Sequence, residues 1–593
     1  MLLGTKKSGT DGGVLIKDDN WSFILCGDEI QELHYKGTLV ASSIRPAVRD
    51  INWNTAQSED LKVTNSKDPL RICVNGEYNS FGIAAFMEFS IVVQDNSFEI
   101  SYKFIPRKDI RTNRTGLTFM IPSEYSGSDA TFTNSKGYTN TARLPKYVSP
   151  HQPILDICEI NYNANNQILN VKFQGDTFEM EDQRNWCDAS FKIYSRELAA
   201  PFPYTLRAGT EVVQKIIIEA TSSKITSTPS DTVRCERKPL AGEPRLVGTI
   251  PTIGVGATTQ LSETFGTCKI GAYLPDSLLL ELAEKYDLKP ILNQAIKESG
   301  GGIVPIDLRI AVSSPSAAST IFKQVISSGL TVASLGIFDS LTHISDARHI
   351  VAARKIIEGQ NVCVIGGTRG HFAEFNRNIH KFQNLADQYQ FSLTPQMHVQ
   401  EKRHITRSLR TLPKLIASAK DLINSENLAI APVTLRPRLN TVSTETDIID
   451  LQDSNGYGAH LVAESDDPRQ FSSWAATWLC AYLIILGIHS VPKTICLEGN
   501  GARGVIPSSY MCDVLSFFIQ EKGNIIENIP THMSDIYAAT IKGEKTSLVI
   551  ANLSSEDCLI NLGDSQSEFI VTSESFSIKG VKDLIRPIIK GCN

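Results

Sequence analysis

Between about residues 245 and 522, short apolar runs alternate with helix-like stretches eight times, and that rhythm leaves few folds open. The runs are RLVGTIPTIGVGA, CKIGAYL, IVPIDLRIAV, LTVASLGIF, NVCVIGG, FSLTPQMH, LAIAPVTLRPRLN and KTICLEG. Helical stretches between them include PDSLLLELAEKYDL, DARHIVAARKIIEG and RQFSSWAATWLCAYLIILGI. A strand that needs a helix before the next strand is parallel to it, since parallel neighbours require a long crossover. Eight such units over roughly 260 residues predict a (β/α)8 barrel, the TIM barrel.

The flanks read differently. From the start to residue 225 strand follows strand: MEFSIVV and SFEISYKF meet at the Asp95-Asn96 turn, and LNVKF is expected to meet FEMEDQ at Gly175-Asp176. This predicts an N-terminal antiparallel β-sandwich over 1–225, a Ser/Thr/Pro-containing linker over 226–244, and the barrel over 245–522. After the helix SSYMCDVLSFFIQ, the runs DIYAATIKG, KTSLVIANL, CLINLG and SEFIVTSESFSI predict a small C-terminal β domain over 523–593. The whole is multidomain α/β plus β, as 593 residues require, being too many for one core.

A net charge of −6 without any basic run argues against a nucleic-acid partner. The longest apolar run, WLCAYLIILGI, is shorter than the ~20 residues of a membrane span and reads as a buried helix, so no membrane partner is expected. MLLGTKKSGTDGG lacks the apolar core of a secretion signal. The 12 cysteines are scattered without a CxxC pair, as in reduced intracellular thiols, so a cytoplasmic location is expected and no metal or cofactor.

In a TIM barrel the active site lies at the C-terminal ends of the strands. That rule selects GGTRGHFAEFNR after strand five, with Arg369, His371, Glu374, Asn376 and Arg377, and PQMH at the end of strand six, with Gln396 and His398. It also selects Thr434, Arg436 and Arg438 from strand seven, and Glu498, Asn500 and Arg503 from LEGNGARG. Glu374 and Glu498 are therefore the candidate catalytic carboxylates, and His398, Asn376, Arg377, Arg436 and Gln396 candidate substrate contacts. Two carboxylates at one mouth can serve as base and acid, or as nucleophile and acid. GNGARG matches a dinucleotide fingerprint but follows the last strand instead of opening a βαβ unit, which makes it a tight turn. No G-x-S-x-G elbow is present, which argues against an α/β-hydrolase serine mechanism.

IRPAVRDINWNT, SPHQPILDI, FEMEDQRNWCDASFK, GGTRGHFAEFNR, LTPQMH, APVTLRPRLN, DPRQFSSWAATW and LEGNGARG resemble, in this order, the motifs of the D-apionate lactonase family. The resemblance implies a glycoside-hydrolase-like enzyme that opens the ring of D-apionolactone to give D-apionate, which agrees with the expectation from the residues that Glu374 and Glu498 share the base and acid roles. The chain departs from the family pattern in three places. CKIGAYL, taken as strand two, is apolar where the family has Arg-x-Asp; Ala502 stands for an aromatic; and Cys187 stands for a threonine. A glycoside hydrolase acting on a branched pentose, and a catalytically silent carbohydrate-binding relative, are the alternatives.

FEMEDQRNWCDASFK, residues 178–192, is dense in charge without proline or glycine. Read as one strand, it sends Met180, Asp182, Arg184, Trp186 and Asp188 to one side. Two readings stand: a salt-bridged structural strand in which Arg184 neutralises Asp182 and Asp188, or a strand that delivers Asp182, Arg184 and Trp186 to the substrate.

Overall fold

Gly175 is where the N-terminal region departs from its predicted pairing. The computed structural model describes residues 13–67, 69–165, 167–222, 246–439, 456–457, 466–531, 535–561, 568–581 and 588–591, so the linker predicted over 226–244 lies outside the described residues. The strand Gln167–Gln174 pairs with Glu159–Ala164 and Val212–Ser222 in a nine-stranded antiparallel sheet. Phe178–Asp182 lies instead in an eight-stranded antiparallel sheet, between Ile154–Ile157 and Ser190–Ser195. No hairpin forms at Gly175-Asp176; the chain crosses between sheets there. Gly175 has φ 97°, and a Cβ on it would lie 2.1 Å from the Val213 carbonyl oxygen, so only glycine fits the crossing.

The Asp95-Asn96 hairpin forms as expected, joining Ile83–Gln94 to Ser97–Pro106. Both strands alternate buried and half-buried residues, the mark of a sheet with one face on a core. The two sheets share that core: Phe23 of one packs edge-on against Phe98 of the other at 5.2 Å, and Phe119 meets Phe173 at 6.1 Å. This is a sandwich. The charged stretch 178–192 is not one strand: the strand ends at Asp182, Gln183–Trp186 form a 3-10 turn, and a new strand begins at Ser190.

The chain forms two compact units. The first holds the sandwich; the second holds Asn185–Asp188 together with the described residues from 246 onward. Within the second unit eight parallel strands close into a barrel: Thr252–Gly256, Leu278–Ala283, Ile306–Val312, Val332–Asp339, Cys363–Gly367, Gln388–Leu393, Leu428–Val433 and Lys493–Glu498, here strands one to eight.

Strand two corrects the sequence reading. It is LLLELA, taken as the start of a helix, whereas CKIGAYL is a loop folded back on itself by the Ile270–Tyr273 bridge. A barrel strand is covered on both faces, so it shows no period-two alternation and resembles a buried helix. The helical signal begins later, at Asp287, whose carboxylate accepts from Lys289 N and caps the helix Leu288–Glu298. Strand six also ends earlier than expected, at Leu393, leaving Gln396 and His398 in the loop that follows.

The run RLVGTIPTIGVGA divides. Thr252–Gly256 enters the barrel, while Val247–Thr249 pairs with Ile525–Ile529 at the edge of a five-stranded antiparallel sheet that continues through Ile536–Lys542, Thr546–Asn552 and Ser575–Val581. SEFIVTSESFSI likewise divides, into Glu568–Val571 of a separate three-stranded sheet and Ser575–Val581. The helix Ser473–Ile488 is buried almost all round because it packs on this five-stranded sheet as well as in its own crossover, which accounts for its unbroken apolar run. Among the described residues no helix is long and apolar enough to cross a membrane.

Candidate active site

The end of strand eight is bulged, and the bulge shapes the site. Leu497 takes φ 56°, and both it and the next residue, Glu498, line one cavity instead of pointing to opposite faces. Gly256, at the end of strand one, lies in register with Glu498; a Cβ there would come within 2.9 Å of the Leu497 carbonyl oxygen, so the two strand ends approach through glycine. Thr259, Glu281, Thr434, Arg438 and Tyr457 complete the polar lining, with Leu279 and Pro432 among the apolar walls.

Glu498 is held in this cavity by Thr259 and Arg503. Its Oε1 accepts from Thr259 Oγ1 at 2.7 Å and its Oε2 from Thr259 N at 3.2 Å, while Arg503 Nε lies 3.2 Å from Oε1. Burial raises its pKa above the usual glutamate range, and Arg503 and Thr259 only partly offset this. Arg503 also donates to Thr259 Oγ1 at 2.8 Å, tying the three groups together. Behind them Glu298, fully buried, accepts from Thr258 N and from Asn500 Nδ2, both at 3.0 Å, and burial raises its pKa too. The GNGARG turn closes on itself through Val505 N donating to Glu498 O at 2.9 Å, and a Cβ on Gly504 would lie 2.3 Å from the Asn500 carbonyl oxygen. A tight turn is what the sequence led one to expect there.

Glu281, from strand two, faces the same cavity and holds two arginines. Arg369 Nε donates to its Oε1 at 2.9 Å, and Arg438 pairs with its Oε2. Burial lowers the pKa of Arg438 to about 10 and that of Arg369 also, but both stay charged at neutral pH. Deeper in the barrel a second layer pairs Asp307 with Arg309 and with Lys493, the latter at 2.6 Å, and Arg309 Nε reaches Gln390 Oε1 at 2.8 Å. Burial opposes ionisation of Asp307, but the two cations outweigh it and hold its pKa well below the carboxylate range.

The anticipated site residues fall into four groups. Glu498 and Arg438 line the cavity. Glu374 does not: it is the third residue of the helix Phe372–Asn378, and its Oε2 accepts from His371 N at 2.8 Å as a helix cap. Asn376 Nδ2 donates to Asn185 Oδ1 at 3.0 Å, Arg377 lies 5.1 Å above the Trp186 ring, and His398 packs edge-on to Trp186 while its Nδ1 meets Asp188 Oδ2 at 2.6 Å. A third group gathers on Asp467, which accepts from Gln396 Nε2 at 2.8 Å and from Arg469, with Arg436 Nε at 3.5 Å.

Asp182 and Arg184, expected at the substrate, are corrected. Both side chains are 0% exposed. Arg184 spends its donors on both Asp182 oxygens, on Ser126 Oγ and on the carbonyls of Pro145 and Tyr147, and stacks 4.6 Å from the Phe191 ring. A guanidinium so enclosed has nothing left to offer a small molecule. The pairing of Arg184 with Asp182 is as the structural reading had it; Asp188 goes to His398 instead.

Glu281, Thr259 and Tyr457 escaped the sequence reading. For Glu281 the signal was present as the single carboxylate in LLLELA, masked by assigning that run to a helix; Tyr457 lies outside the strand-end motifs read from the sequence and carried no signal.

Residues 3–223 match the family described as D-apionate lactonase, N-terminal domain, and residues 341–522 match D-apionate lactonase, TIM barrel domain. The chain is similar to the D-apionate lactonase of Brucella anthropi, 23% identical over 497 residues that cover 77% of each protein. Solved structures that match include a GH36 alpha-galactosidase from Geobacillus stearothermophilus, 8% identical, covering 98% of this chain and 100% of that one at a TM-score of 0.24. They also include the Slr1438 protein from Synechocystis sp. PCC 6803, 11% identical, covering 38% and 100% at a TM-score of 0.27.

Proposed function

Because the chain belongs to the D-apionate lactonase family, we propose that it hydrolyses a sugar lactone, D-apionolactone to D-apionate, as a cytoplasmic step of D-apiose catabolism. The observation that carries this reading is the meeting of Glu498 and Arg438 in one cavity at the C-terminal ends of the barrel strands.

Ring opening requires a water made nucleophilic, an anion held, and a proton for the departing ring oxygen. Glu498, its carboxyl raised toward neutrality by burial, takes a proton from water as the water oxygen bonds to the lactone carbonyl carbon. The guanidinium of Arg438, kept in place by Glu281, receives the charge that develops on the carbonyl oxygen. Collapse of the intermediate breaks the bond to the ring oxygen, which takes the proton held by Glu498, and the product acid ionises. Glu374, which the sequence paired with Glu498 in these steps, acts through the helix it caps: that helix carries Asn376 and Arg377.

Acid release from a panel of four- and five-carbon aldonolactones tests the reading. Glu498→Gln is expected to lose about 10²- to 10⁴-fold in kcat/KM. Retention within about tenfold, ~1.4 kcal/mol of barrier, would sink the assignment. Glu374→Gln keeps an acceptor for the cap and is expected to stay within that tenfold. Turnover of aryl glycosides instead of lactones would move the chain to a glycoside hydrolase.

A further inference from the structure

Tyr457 reaches the cavity from outside the strands, and two contacts fix it there. Its backbone N donates to the Thr259 carbonyl oxygen at 2.9 Å, beside a bridge between Gly456 and Gln260, so it is anchored to the residue that hydrogen-bonds Glu498. Its ring meets Tyr286 edge-on, with centroids 5.9 Å apart. The residue is only 5% exposed and lines the cavity with Glu281, Arg438 and Glu498.

Its hydroxyl nevertheless has no hydrogen-bond partner among the described residues. Glu298 and Glu498 spend their oxygens on Thr258, Asn500, Thr259 and Arg503. Burial, reinforced by the negative charge of those two glutamates, raises the phenol well above its ordinary pKa, so it stays a donor at any working pH. A hydroxyl that no protein acceptor takes up, on a residue that lines a cavity, leaves its donor for whatever occupies that cavity.

We propose that Tyr457 is a specificity-determining contact of this cavity, its hydroxyl donating a hydrogen bond to an alcohol oxygen on the lactone ring. The site therefore selects hydroxylated lactones over bare ones. This rests on the lactonase reading, in which Arg438 serves the reacting carbonyl and leaves the neutral phenol to a neutral oxygen. A site built to hydrogen-bond a substrate hydroxyl discriminates strongly against the analogue without it, because its own polar group is then left unpaired.

The test crosses one substitution with one substrate change. Rates of a four-carbon hydroxylated aldonolactone and of γ-butyrolactone, the same ring without hydroxyls, are measured in the parent and in Tyr457→Phe. The parent is expected to favour the hydroxylated ring at least about 100-fold in kcat/KM, and Tyr457→Phe to narrow that preference at least about tenfold, chiefly through KM. Equal losses on both rings, or none on either, overturn the proposal. So does a Tyr457→Phe chain that fails to fold, since a hydroxyl without a protein partner leaves the fold when removed at little cost. If the parent opens neither lactone, the lactonase reading falls separately. Calorimetric binding of the aldonolactone then decides: weakening about tenfold or more in Tyr457→Phe supports the contact, and equal binding, or none to the parent, overturns it.

Discussion

The molecule buries an arginine–carboxylate cluster in each of its two units, and the two serve opposite ends. In the sandwich, Arg184 and Asp182 satisfy each other and a ring of backbone carbonyls, and nothing of either remains to be used. In the barrel, Glu281 holds Arg369 and Arg438, and both Glu281 and Arg438 line an open cavity. The same kind of ion pair is closed off in one unit and, in the other, is open to a cavity where the proposed chemistry would use it. Burial alone does not distinguish them, since all the members are buried.

Removing one arginine from each cluster is the sharpest way to break this contrast. Arg184→Met leaves the Asp182 carboxylate buried without its counter-charge, and a loss of about 3–5 kcal/mol is expected in denaturant titration. Catalytic rate per folded molecule should be unchanged, so a parent-like titration would remove the structural half of the contrast. Arg438→Met is expected to do the reverse. Glu281 keeps Arg369, so the stability loss should be smaller than for Arg184→Met, while kcat falls about 10²- to 10³-fold as an oxyanion donor is lost. A stability loss equal to that of Arg184→Met, with kcat intact, would make the two clusters alike.

A smaller effect concerns pH. As the proposed base, Glu498 would work only when ionised, and burial raises its pKa, so kcat/KM should fall on the acid side at a higher pH than an ordinary glutamate would give. Arg503 favours the ionised form; Arg503→Met should therefore move that limb to still higher pH. A limb that stays put in Arg503→Met would detach Glu498 from the rate. The stability sign is the opposite of that for a salt-bridged carboxylate. With its folded pKa above the unfolded one, Glu498 contributes stability that is present below the ordinary glutamate range and is lost as pH rises through the folded value.

The sequence carried the barrel because eight crossovers repeat, and repetition survives local error: strand two was placed on CKIGAYL without disturbing the count. It hid Glu281 for a physical reason. LLLELA is covered on both faces, and a run without alternation cannot be told from a buried helix by period. The stretch 178–192 misled in another way. Its charges are legible, but Arg184 and Trp186 sit in a turn after Asp182, where strand alternation no longer assigns faces. The strand-end rule selected Glu498 and Arg438, which line one cavity, and also Glu374, whose spacing from His371 is that of a helix cap. Tyr457 was invisible because its placement depends on a backbone bond to Thr259, almost 200 positions away.

The strand Val247–Thr249 has a consequence for the order in which the protein is made. It is the last piece before the barrel, yet it pairs with Ile525–Ile529, the first piece after it, and Leu246 N reaches Asn528 Oδ1 across 282 positions. On the ribosome this short edge waits for the whole barrel to emerge before its backbone groups find their partner. Contacts of such long reach slow folding, and an unpaired edge is a template for the wrong chain while it waits. Once made, the pairing clasps the segments that enter and leave the barrel together, so that a chain ending before residue 525 would leave Val247–Thr249 without its partner strand.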